Sequence, residues 1–141
     1  MLNLKVETRG LDFKKLSQGD RKLLMEGNGA IIEGHIQDII TADHIVDSGR
    51  YRNTINSIAD ENSAVIQSFL HYAPHIEYGT RPHVIRPKTK KALSWKGAIH
   101  PVRKVNHPGT KARFPFTRGV VKSKVDVAKF SESFIMKKVS K

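Results

Sequence analysis

The chain contains no cysteine. This excludes disulfide staples, thiolate nucleophiles and sulfur-bound zinc, and it fits a reducing compartment. No apolar run approaches the roughly 20 residues that a membrane-spanning helix requires. The stretch MLNLKVETRGLDFKK lacks the succession of basic, apolar and small-residue segments that marks a secretory signal, so the protein is expected to stay where it is made. Neither GxSxG nor a P-loop occurs, and the second part of the chain has only two acids, Asp126 and Glu132. Paired carboxylates for acid-base work are therefore missing there, and no enzymatic activity and no cofactor are expected.

What is present is a globular composition, 38% hydrophobic and 27% charged over 141 residues, the size of one domain spanning 1–141. The formal net charge of +12 is unevenly spread. Met1 to Thr80 holds eight Lys and Arg against eleven Asp and Glu, whereas Arg81 to Lys141 holds 17 against two. Such polarity suits a basic surface that meets phosphate or an acidic partner; the plainer reading is a solvated face that aids solubility.

Hydrophobic spacing predicts the elements. Leu11, Phe13 and Leu16 suggest a short first helix capped by Asp12, with Ser17-Gln18-Gly19 interrupting it. From Asp20 onward Leu23, Leu24, Ala30, Ile31, Ile32, Ile36, Ile39 and Ile40 recur at steps of three and four, the stripe of a long helix. Gly27, Gly29 and Gly34 cost that helix roughly 1 kcal/mol each unless another backbone packs closely there. His35 beside the stripe reads as a hydrogen-bonded, half-buried residue. Asp47-Ser48-Gly49 is expected to end the helical region, 1–46, and Arg50 to Ile55 to continue as a helical turn or a strand. Asp60-Glu61-Asn62 reads as a turn and Ser63 to Leu70 as a strand.

Further strands are expected at His71 to Tyr78, interrupted or held to an edge by Pro74, at Val84 to Pro87, at Lys91 to Trp95 and at Val102 to Val105. Gly79-Thr80-Arg81-Pro82 is a turn between them, and Trp95 is expected as a core or edge anchor. Residues 63–116 are thus mainly strands and loops. Val121, Val125, Ala128, Phe130, Phe134, Ile135 and Val139 then mark a C-terminal helix over 117–141, with Thr117 as its N-cap. The fold class is α+β: a long N-terminal helix, an antiparallel sheet of short strands and a C-terminal helix.

His71, His75, Glu77 and His83 have the chemistry of metal ligands but not the spacing. On a strand, His71 and His75 stand about 13 Å apart at roughly 3.3 Å per residue, too far to share one ion, and the HExxH pattern is absent. No metal site is expected.

Three strings carry a resemblance instead. Val46-Asp47-Ser48-Gly49-Arg50-Tyr51-Arg52-Asn53-Thr54-Ile55, then Tyr72-Ala73-Pro74-His75-Ile76-Glu77-Tyr78-Gly79-Thr80, then Asn106-His107-Pro108-Gly109-Thr110-Lys111-Ala112 followed by Phe114-Pro115-Phe116, are similar in kind and order to motifs of the tailed-bacteriophage neck and tail-completion family. Ile45 stands where that family often has proline, and Tyr51 where leucine is usual. The resemblance covers roughly residues 11 to 120 and implies a structural virion protein made in the host bacterial cytoplasm. It further implies a homo-oligomeric ring, six- or twelve-fold, at the head-tail junction, in contact with neighbouring neck, connector or tail-terminator proteins and close to DNA.

Within that frame Glu77 is expected to pair with Arg81 or to accept a turn amide, within its own subunit or across to the next. The stretch from Arg81 to Lys111, rich in turn residues, is expected to project as a loop or hairpin. Its cations, Arg86, Lys88, Lys90, Lys91, Lys96, Arg103, Lys104 and Lys111, with Arg81, Arg113 and His107 beside them, would dock on acidic protein surfaces. The competing expectation is that they line a channel and touch DNA phosphates, acting in DNA packaging or passage.

Overall fold

The computed structural model describes residues 1–7, 15–45 and 49–140. Along the chain run β1 (Leu2–Glu7), α1 (Gln18–Ala42), α2 (Arg50–Asn53), β2 (Asn56–Ala59), β3 (Ser63–Ser68), α3 (Ala73–Tyr78), β4 (His83–Ile85), β5 (Val105–His107) and α4 (Pro115–Val139). The α+β class expected from the sequence is what the chain adopts. The short helix expected at Leu11 and Phe13, and most of the Asp47-Ser48-Gly49 terminator, lie outside the described residues.

α1 begins where Ser17 Oγ accepts the Asp20 amide at 3.1 Å, so Ser17 caps the helix and Gln18 and Gly19, ahead of the expected start at Asp20, lie inside it. Its buried residues, among them Leu24, Met25, Ile32, Ile36, Ile39 and Ile40, cover more than one narrow stripe because the helix is packed on two sides. On one side lies the antiparallel sheet, ordered β1-β3-β2, with Leu2 opposite Ser68 and Asn56 opposite Gln67. A Cβ on Gly29 would press on Ser57 and Ala64 of that sheet, which explains one of the glycines in mid-helix. On the other side lies α4, and there a Cβ on Gly27 would strike the Phe130 ring; Gly34 faces open space.

α1 and α4 run antiparallel, as their cross-contacts show. Lys138 pairs with Asp20 at 2.7 Å, Ser131 donates to Asn28 at 3.0 Å, His35 bonds Asp126 at 2.8 Å, and Arg118 pairs with Asp43. The Arg118 guanidinium holds the Asp43 carboxyl below its ordinary value, and Lys138 does the same for Asp20. His35 is therefore the hydrogen-bonded, half-buried residue that the sequence suggests. The main core gathers Ile32, Ile36, Ile40, Tyr51, Ile66 and Phe116, each worth roughly 1.5–3 kcal/mol in apolar burial. A second cluster, Leu16, Leu24, Met25 and Ala64, sits under Phe130 and Phe134. Among the described residues no helix is long and apolar enough to cross a membrane.

Several expectations are corrected. Residues 1–46 are not wholly helical, since Leu2–Glu7 is an edge strand beside β3. α1 ends at Ala42, ahead of Asp47-Ser48-Gly49, and Gly49 precedes α2 in a left-handed conformation instead of ending α1. The stretch from His71 to Tyr78 is not a strand: Pro74 stands in the first turn of α3, where its missing amide costs nothing. Ala73 and Glu77, four residues apart, share a face in either conformation, so their spacing does not distinguish the two. Lys91 to Trp95 and Val102 to Val105 are reduced to one bridge, Leu93 with Val102, and the ladder strand begins only at Val105. Trp95 is 52% exposed and anchors no core. α4 starts at Pro115 after Phe114, so Thr117 lies in its first turn and is not the N-cap.

Candidate functional site

β4 and β5 form a hairpin that leaves the helical body. His83 pairs with His107 and Ile85 with Val105, and a Thr80–Thr110 bridge extends the ladder toward the body. No residue from Tyr78 to Phe114 is buried. The projection expected from turn-rich, apolar-poor sequence is therefore present, and its charge is uniform: ten Lys and Arg, and no acid, between Arg81 and Arg113.

The base of the hairpin is where the three quoted strings converge. Gly79, at φ +74°, lies against the Thr110 carbonyl and the Ala112 amide, and Gly109, at φ +87°, lies against the Thr80 carbonyl. Neither position has room for a Cβ, and positive φ is strained for any residue with one. Thr80 and Thr110 exchange backbone bonds at 3.0 and 3.2 Å, and their hydroxyls meet at 3.0 Å. Beyond the crossing, the Arg113 amide donates to Ile76 O at 3.0 Å and the Phe114 amide to Glu77 O at 3.3 Å. The returning strand is thus tied to α3 before α4 begins.

Glu77 completes the knot. Its carboxylate is 1% exposed and accepts from the Phe116 amide at 2.9 Å, the Thr117 amide at 3.0 Å and the Thr117 hydroxyl at 2.6 Å. Phe114, the residue preceding α4, contributes no side-chain cap, and Pro115 has no amide to cap. A carboxylate nearly forty residues earlier therefore caps α4 and meets the positive end of its dipole. This is the in-subunit, amide-accepting alternative; no ion pair joins Glu77 to Arg81. Tyr51, from the first string, is fully buried with its ring 6.1 Å from Tyr72, and burial pushes its phenol pKa well up.

The remaining expected interface residues are all exposed on the hairpin or its base, apart from half-buried His107. Arg81 and Arg86 flank β4; Lys88, Lys90 and Lys91 follow on an irregular stretch; Lys96 lies in the distal turn; Arg103 and Lys104 are on the return. His107 stacks on His83 at 5.0 Å and its Nδ1 accepts the Gly109 amide, so it serves the hairpin's own geometry. Lys111 and Arg113 border a cleft of about 440 Å³ whose floor is Ile45, Tyr72 and Ile76, with His75 at its side.

Three of the four metal-like residues are engaged otherwise, and His75 is exposed at the side of the cleft. Glu77 is capped into α4, His83 donates from Nδ1 to Arg81 O at 2.9 Å, and His71 stands edge-on to Tyr72. Among the described residues no group of three His, Asp or Glu is placed to hold an ion. The arrangement has the means for adhesion by charge and contact. Sequence reasoning missed the outer end of the hairpin, where Ile99, four residues after Trp95, is 98% exposed. The signal was an isolated apolar pair around Lys96-Gly97, with no periodic partner to bury it. No protein-family model, curated protein or solved structure matches the chain.

Proposed function

We propose that the chain is a structural subunit of the head-tail junction of a tailed phage or phage-derived particle, forming a ring that completes the tail or joins it to the capsid. The observation that carries this reading is the convergence of the three motif strings. Residues separated by up to forty positions meet as one knot, Tyr51 against Tyr72, Gly79 against Thr110, Glu77 against Phe116 and Thr117. A motif set that builds one rigid joint supports kinship more strongly than matching strings scattered over a surface. The joint holds a cationic arm at a fixed attitude to a helical body, which suits a subunit that must register with a neighbouring ring.

On this reading the protein performs no catalysis and needs no cofactor. It acts as a homo-oligomer, six- or twelve-fold, beside connector, neck or tail-terminator proteins in the virion neck. The ten hairpin cations also favour a second reading, a basic DNA-binding module acting in packaging or passage. A lumen through which DNA slides is poorly served by a dense cationic lining, so docking on acidic protein is preferred. Charge reversal at Lys90 and Lys91 separates the two: loss of head-tail joining with unchanged duplex binding supports docking, and the opposite pattern supports DNA contact.

A further inference from the structure

We propose that the outer end of the hairpin is a plug, with Trp95 and Ile99 as its apolar anchors, which seats in an acid-rimmed apolar socket on a protein other than this chain. The proposal deepens the head-tail reading and rests on it for where the partner sits, but its chemistry is argued from the hairpin alone.

The end is shaped rather than slack. Leu93 and Val102 exchange two backbone bonds, at 2.8 and 3.0 Å, and inside that bridge the Ala98 amide donates to Trp95 O at 3.0 Å. Gly97, at φ +95°, supplies the left-handed corner of the turn. Trp95 opens the turn and Ile99 follows it, 52% and 98% exposed. Single exposed apolar residues are ordinary. A tryptophan and an isoleucine four residues apart in one turn at the far end of an arm are not, because the charged residues that flank them in the chain, Lys90, Lys91, Lys96, Arg103 and Lys104, are all cations. Tryptophan in a cationic rim is the composition of an interface centre: the aromatic supplies desolvated contact and the rim supplies steering.

A second copy of this chain is a poor socket. Of the ten acids whose side chains are described, seven are engaged at home: Asp20 with Lys138, Glu26 with Lys22, Asp43 with Arg118, Asp126 with His35, Glu33 with the Ser57 amide, Asp60 in its own turn, and Glu77 beneath α4. At a net charge of +12, two copies repel where the arms would meet. A nucleic-acid backbone would be met by the cations alone and gives Ile99 nothing to bury against. An acidic protein surface with an apolar hollow uses both features.

Trp95 is the only tryptophan, so its emission reports on the plug alone. The purified full chain is titrated with poly-glutamate, with a random glutamate-tyrosine copolymer, with a short duplex of arbitrary sequence and with vesicles of anionic lipid. The copolymer is expected to bind at least about tenfold more tightly than poly-glutamate and to shift Trp95 emission to the blue. Ile99→Ala and Trp95→Ala, the latter followed by calorimetry, should each erase that excess while keeping poly-glutamate affinity and the circular dichroism of the parent. Equal affinity for the two polymers with unmoved emission overturns the proposal, as does a shift produced only by duplex or only by vesicles. Failure of the chain to assemble or to engage particles removes the head-tail reading and leaves the plug result standing.

Discussion

Replacing Glu77 by glutamine changes few atoms and tests the joint directly. The carboxylate serves three donors, and an amide can serve at most those on one side. With the glutamine oxygen toward Thr117, both Thr117 bonds survive, and the Phe116 amide, 2.9 Å from the second oxygen, faces an NH₂ group instead. A buried donor left unpaired costs about 1–3 kcal/mol, and loss of a negative charge at a helix N-terminus about 0.5–1 kcal/mol more. The sum is about 2–4 kcal/mol, which in a chain of this length lowers Tm by roughly 10 °C. Urea and thermal unfolding of Glu77→Gln measure it. Thr117→Val, which deletes the hydroxyl at 2.6 Å, closes a double-mutant cycle with an expected coupling of about 1 kcal/mol. Arg81→Ala, which breaks no bond to Glu77, should stay within about 0.5 kcal/mol of the parent. A Glu77→Gln protein as stable as the parent would refute the capping argument, because burial and three short bonds would then contribute nothing.

Four further outcomes are expected. Gly79→Ala should destabilise by about 2–4 kcal/mol through positive φ and collision with the Thr110 carbonyl, whereas Gly97→Ala, with open space around its Cβ, should cost only the φ strain of about 1–2 kcal/mol; thermal melts compare them. Replacing residues 88–103 by a two-residue turn should leave the melting profile of the body nearly unchanged, since nothing in that span is buried; a collapse of the transition would mean the arm is structural. Asp43, held below its ordinary value of 3.8 by Arg118, is charged and paired at neutral pH, so its contribution is present above that value and is lost as pH falls through the lower folded value. Urea melts of Asp43→Asn should therefore differ from the parent at pH 6 and converge with it in strong acid. Gly27→Ala should loosen the α1–α4 contact at Phe130, read as lost thermal stability that Phe130→Leu partly restores.

Both long helices were legible because apolar residues repeat at steps of three and four over many turns, and β3 because Ala64, Val65 and Ile66 follow a turn signal. β1 was passed over although Leu2, Leu4 and Val6 alternate, since a six-residue edge strand has meaning only beside β3, which lies nearly sixty residues away in the chain. α3 is not legible as a helix because a spacing of four fits both periods and Pro74 suits a strand edge as well as the first turn of a helix. The cationic arm was visible as composition. Its joint was not: that Glu77 caps α4, and that Gly79 and Gly109 cross each other's strands, depends on contacts between residues thirty to forty positions apart. Trp95 departs from the expected anchor role because size and apolarity imply burial only where a core is at hand, and the residues flanking it supply none.

The central claim, a ring-forming subunit that joins head to tail, is tested most directly by the mass of the purified chain in solution, by light scattering, alone and mixed with isolated capsids and tails. A discrete ring, or a monomer that becomes bound to particles, is the predicted result. A monomer that ignores both particles and binds duplex DNA would contradict it and would make the cationic arm a nucleic-acid surface.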